Sequence, residues 1–96
     1  MQPSLALKNG RQAVLEAAAR HGATNVRIFG SVARGEDSES SDLDLLVDVR
    51  PNTSLLDLVK LQHDIEDALG IPVDVLTAED LPAKVRAHVL ATAQRI

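Results

Sequence analysis

From Gly30 to Val49 the chain reads GSVARGEDSESSDLDLLVDV, and no other stretch restricts its fold so tightly. A Gly-Ser pair closes a β-branched run, polar-rich residues follow, and a second strand pattern returns carrying Asp42 and Asp44. Side chains alternate along a strand, so two aspartates one residue apart point the same way. Leu43, Leu45, Val47 and Val49 then form the buried row, and Asp42, Asp44 and Asp48 share the other row with Leu46. Neighbouring carboxylates repel unless a cation lies between them. Hard carboxylate oxygens without His or Cys select Mg2+.

Ninety-six residues suit one domain, residues 1–96, with a single core. Phe29 is the only aromatic residue, so aliphatic side chains must fill the interior and no Trp or Tyr is present to stack a base. The absence of cysteine excludes disulfides and zinc-thiolate sites. No apolar run approaches the roughly 20 residues of a membrane span, and the N-terminus lacks a signal-peptide pattern, so a cytoplasmic protein is expected. Net charge is −4, with six acids and no base from Glu36 to Asp48, and three bases and no acid from Ala83 to Ile96. That balance argues against direct nucleic-acid binding. The acidic window asks for metal. The basic tail fits cations at a helix C-terminus, with Lys84, Arg86 and Arg95 as a candidate docking face.

In chain order, residues 4–21 predict a helix capped by Ser4 and stopped by Gly22, with Leu7, Val14, Leu15 and Ala18 on one stripe. Gly10 weakens its front half, and fraying is expected before Asn9. Thr24 to Phe29 predicts a strand, Ser31 to Arg34 one helical turn, and Leu43 to Val49 the returning strand. Ser54-x-x-Asp57 is a capping box for a helix ending at Leu69, with Leu55, Leu58, Gln62, Ile65 and Leu69 inward. Ile71 to Leu76 is a third strand with Asp74 outward. Thr77-x-x-Asp80 caps a turn, and a last helix starts near Leu81 or Pro82 and runs towards Ile96.

The fold class is therefore α/β (α+β), with a three-stranded mixed sheet in the order α-β-(short α)-β-α-β-α. Strands one and two should be antiparallel, and two and three parallel through a crossover helix. Asp74 then lies beside Asp42 and Asp44.

Taken singly, a Gly-Ser turn or an Asp-x-Asp strand is most often structural, yet aspartate is disfavoured in strands and the fold gathers these acids together. The chemistry they suit is metal-assisted nucleotidyl transfer, with two Mg2+ ions clamping the attacking and leaving oxygens at phosphorus. Asp42 and Asp44 would bridge both ions, and Asp74 would hold one and help deprotonate the acceptor hydroxyl. Gly30 and Ser31 supply a nucleotide-binding turn for the triphosphate. Arg34 either neutralises a phosphate or pairs with Glu36 or Asp37. His21, His63 and His88 lack metal-ligand spacing.

Gly30-Ser31, ten residues, then Asp42-Leu43-Asp44, with Asp74 in a following strand, resembles the signature of the DNA polymerase beta-like nucleotidyltransferase superfamily. GSVARGE and SDLDLLVD resemble its minimal nucleotidyltransferases (MntA-type antitoxins), over essentially the whole chain. The resemblance implies the antitoxin of a type VII-like toxin–antitoxin pair: a protein adenylyltransferase that uses Mg2+ and ATP to move AMP to a tyrosine of a HEPN-domain ribonuclease toxin, in a hetero-oligomer. Two other readings compete. One is a non-catalytic antitoxin acting by complex formation, and the other is transfer to a small-molecule hydroxyl, which the small size of the chain disfavours.

Overall fold

The computed structural model describes residues Met1–Ile96. Helix α1 (Pro3–Arg20) leads into strands β1 (Thr24–Phe29) and β2 (Leu43–Asp48), followed by α2 (Leu55–Leu69), β3 (Val73–Leu76), a 3-10 turn (Ala78–Asp80), α3 (Ala83–Thr92) and β4 (Gln94–Arg95). The sheet order is β3-β2-β1-β4. β1 runs antiparallel to β2, and β2 runs parallel to β3, as the short return and the helical crossover require.

One face of this sheet is the core. Leu43, Leu45 and Val47 meet Val26, Val73 and Val75 from the neighbouring strands, under Ala6, Leu7, Val14, Ala17 and Ala18 of α1 and Leu61 and Ile65 of α2. Val49 packs against its margin. On the opposite face Leu46 is also fully buried, with Leu81 nearby in burial, outside that cluster.

Four local expectations are corrected. First, α1 begins at Pro3 with Gln2 as N-cap, and Ser4 does not cap it. The cap comes from 33 residues away, where Asp37 accepts the Ser4 N–H at 2.8 Å. Orphan amides of the first turn are satisfied by whichever acceptor reaches them. Second, α1 kinks at Gly10, whose φ of −113° and ψ of 16° leave the helical region, rather than fraying before Asn9, and Leu69 lies where a Cβ on Gly10 would stand. Third, Leu55 is exposed and Leu61 takes its place inside. Gln62 faces the edge strand, where its side chain accepts the Val75 N–H at 3.3 Å and Glu66 accepts the Val73 N–H at 3.0 Å. Those bonds cover amides that an edge strand otherwise leaves open.

Fourth, the last helix ends at Thr92, and Ala93 turns extended so that Gln94 and Arg95 pair with Ile28 and Arg27. The sheet thus has four strands, not three, because the outer edge of β1 recruits the chain end. No residue of α3 is buried. The helix is tied down by Arg86, whose guanidinium donates to the carbonyls of Ala78 at 2.8 Å and Leu81 at 2.9 Å. Of the basic tail, Arg86 is therefore occupied internally.

Candidate active site

The row that crosses the open face of the sheet is Phe29, Asp44 and Asp74, which are backbone partners on three successive strands. Asp74 enters through the β2–β3 register alone. Asp42 stands two residues before Asp44, just ahead of β2. The Asp44 carboxyl is pushed above the ordinary carboxylate range, first by burial and then by the negative charges of Asp74 and Asp42. The positive charge of Arg34 opposes that rise. The three aspartates thus share one electrostatic neighbourhood, although their oxygens are not drawn into a closed ligand cage.

Asp48, on the same strand row, belongs elsewhere. Arg27 pairs with it at 2.7 Å and Asn25 donates to its second oxygen at 3.0 Å. The strand therefore carries an ion-paired acid at one end and, at the other, acids that are in no ion pair.

Beside Asp44 the chain leaves β1 through Gly30, whose φ is +74°. The left-handed backbone favours glycine, and a Cβ there would push the Asp44 carboxylate aside. The next residues form one turn, in which the Gly30 and Val32 carbonyls accept the Arg34 and Gly35 N–H groups at 3.2 and 3.1 Å. Val32 is buried and pins the turn to the core. The amides of Ser31, Val32 and Ala33 donate to no group in the chain. Three successive free N–H groups at the start of a helical turn form a nest for an anion. Sequence reasoning found Gly30 and Ser31 but missed the Val32 and Ala33 amides. Their signal was present in the turn's spacing, which leaves the first amides of any helical turn unpaired.

Of the two roles its sequence context allowed, Arg34 takes the ion pair with Glu36 in this structure. Its Nε donates to Glu36 at 3.2 Å in an exposed pair, while its charge acts on Asp44. An exposed pair of this kind holds the side chain weakly. His21 bonds to Asp64 at 2.5 Å between α1 and α2, remote from these groups in the fold.

A family model for a nucleotidyltransferase domain matches residues 11–95. The chain is 44% identical over 71 residues to "Putative protein adenylyltransferase MJ0435" of Methanocaldococcus jannaschii, a match spanning 74% of this chain and 76% of that protein. It is 38% identical over 71 residues to "Protein adenylyltransferase MntA" of Thermococcus cleftensis, spanning 74% and 72%. Among solved structures, a "putative minimal nucleotidyltransferase" superposes with a TM-score of 0.85 at 45% identity, covering 97% of this chain and 95% of that one. A toxin–antitoxin assembly solved with AMP-PNP shares the fold, with a TM-score of 0.75 at 16% identity over 88% and 69%. The matched span includes the Gly30 turn and all three aspartates, and the chain belongs to the nucleotidyltransferase domain family, as one of its minimal nucleotidyltransferases.

Proposed function

We propose that this nucleotidyltransferase is the antitoxin of a toxin–antitoxin pair, and that it transfers AMP from ATP to a tyrosine hydroxyl of a cognate HEPN-domain ribonuclease. The observation that carries the reading is Asp44, its carboxyl pushed up first by burial and then by the charges of Asp74 and Asp42, beside a turn with three free amides. Protein adenylyltransferase relatives and the fold shared with a toxin–antitoxin assembly support the choice of a protein acceptor.

Asp42, Asp44 and Asp74 fit a divalent cation, because an all-carboxylate donor set whose repulsion at Asp44 is opposed only by the charge of Arg34 suits a hard ion such as Mg2+. When bound there, Mg2+ supplies positive charge against the triphosphate and the charge developing at phosphorus. The Ser31, Val32 and Ala33 amides bind the phosphate chain, and Gly30 lets it approach Asp44 closely. Arg34 adds a mobile positive charge to that cradle. The acceptor oxygen attacks the α-phosphorus, the bond to the bridging oxygen breaks, and pyrophosphate leaves. Asp74, on the edge strand where an acceptor can enter, takes the hydroxyl proton.

The test is intact-mass analysis of the cognate toxin after incubation with this chain, ATP and Mg2+. The expected result is addition of AMP units that map to tyrosine, abolished by Asp42→Asn with Asp44→Asn. An unmodified toxin at saturating ATP contradicts the reading. Undiminished protection of cells by Asp44→Asn favours neutralisation by complex formation.

A further inference from the structure

Of the three clustered aspartates, Asp74 alone stands on an edge of the sheet. Its strand, β3, is 4 residues long and has β2 as its only neighbour. The Asp74 side chain is exposed and takes part in no hydrogen bond or ion pair within the chain. The backbone of β3 therefore decides where that carboxylate stands relative to Asp44, its register partner on β2. Like charges directly opposite on adjacent strands work against the pairing that holds them together.

On the free side of β3, side chains of α2 stand in for a missing strand. The Val73 N–H donates to Glu66 Oε2 at 3.0 Å, and the Val75 N–H donates to Gln62 Oε1 at 3.3 Å. These are the amides immediately before and after Asp74. The spacings match: residues four apart on a helix share a face and lie about 6 Å apart along its axis, and two residues of a parallel strand span about 6.6 Å. Glu66 carries a charge yet joins no ion pair, so its carboxylate is committed to the strand. Burial of Val73 and Val75 sets the depth of β3 on the core. The two side-chain bonds add a lateral anchor where no strand pairs. Water can satisfy an amide at a sheet edge, so what these bonds add is position, and the residue between them is Asp74.

We infer that Gln62 and Glu66 are positioning residues for the transfer reaction, holding the strand on both sides of Asp74 so that its carboxylate stays beside Asp44. The inference rests on the reading in which Asp74 takes the acceptor's proton, and adds to it the residues that keep that base in place. A base displaced by about 1 Å can cost a reaction about 100-fold in rate.

Steady-state transfer of AMP to the cognate toxin, measured with Gln62→Leu, Glu66→Leu and the double variant, tests it. Leucine preserves the helix and most of the side-chain volume while removing the acceptor. The expected result is a fall in kcat of roughly tenfold in each single variant and roughly a hundredfold in the double variant. KM for ATP is expected to stay unchanged, because the free amides of the Gly30 turn are untouched. Glu66→Gln removes the charge and keeps an acceptor oxygen, and is expected to retain the kcat of the unaltered chain. Amide hydrogen exchange on the chain without metal or nucleotide gives a readout free of turnover: Val73 and Val75 should lose protection in the leucine variants, Val73 should keep it in Glu66→Gln, and Leu43–Asp48 should stay protected throughout. Gln62→Ala and Glu66→Ala, which admit water to the same amides, replace the leucine variants if those lose their thermal unfolding transition. Unchanged kcat in the variants that lack the acceptor, an equal loss in Glu66→Gln, or a rise in KM for ATP in step with the fall in kcat would each show that the bonds only cover the edge. If the unaltered chain transfers no AMP, the nucleotidyl-transfer reading fails and the inference fails with it.

Discussion

Asp44 is held in a conflict that folding alone does not resolve. It is half-buried, bordered by two other carboxylates, and pressed so closely by Gly30 that any side chain there would strike its oxygen. An acid whose folded-state pKa is raised weakens the fold above that pKa, and ceases to do so below the ordinary aspartate range. Asp44→Asn therefore removes a penalty that exists at neutral pH. Thermal melts should show the variant more stable by about 2–5 °C at pH 7, with the gain shrinking as pH falls towards the ordinary carboxylate range, while transfer activity is lost. A site that trades stability for function behaves in this way. Gly30→Ala is the converse case. The left-handed backbone alone costs about 1–2 kcal/mol for a side-chain-bearing residue, and the Cβ displaces Asp44. Denaturant unfolding should register the destabilisation, and activity should fall together with it.

At the level of elements, the loop after β1 is held by a contact distant in sequence, and the helix after the 3-10 turn by contacts within eight residues. Asp37 caps α1, so the loop that carries the acidic window is clamped to the first helix, and that bond holds the Asp37 carboxyl below its ordinary range. Arg86 ties α3 to the adjoining 3-10 turn. Arg86→Ala should release α3: hydrogen exchange should accelerate across Ala83–Thr92 while the core strands keep their protection, because α3 contributes no buried residue. The same contrast explains what the sequence revealed. Periodicity located β1, β2, β3 and α2, since each has a face that must be buried, and the Ser54 and Asp57 capping box is present as read. The β2–β3 pairing that brings Asp74 to Asp44 followed from the crossover helix. The Asp37 cap, the kink at Gly10 and strand β4 were not legible. Each depends on which distant group arrives at an unsatisfied amide or a gap, and local pattern carries no record of that. Leu55 was assigned inward because helical spacing fixes a stripe only to within about one position, and Leu61 satisfies the same period.

For the whole molecule, the division of labour is between two faces of one sheet. The core face is covered by α1 and α2 and holds the aliphatic cluster. The opposite face is covered only at its Leu46 end, and its other end presents Asp44, Asp74 and the Gly30 turn. An acidic protein exposing an acidic row is poorly suited to bind nucleic acid and well suited to hold a nucleotide through divalent cations. No helix is long and apolar enough to cross a membrane. Isothermal titration of ATP into the unaltered chain and into Asp44→Asn, each with Mg2+ and with a chelator, addresses this account at its centre. Binding should appear with Mg2+ in the unaltered chain, vanish with the chelator, and be lost or severely weakened in the variant; ATP uptake of equal strength in all four titrations would contradict a carboxylate-held metal as the basis of nucleotide binding.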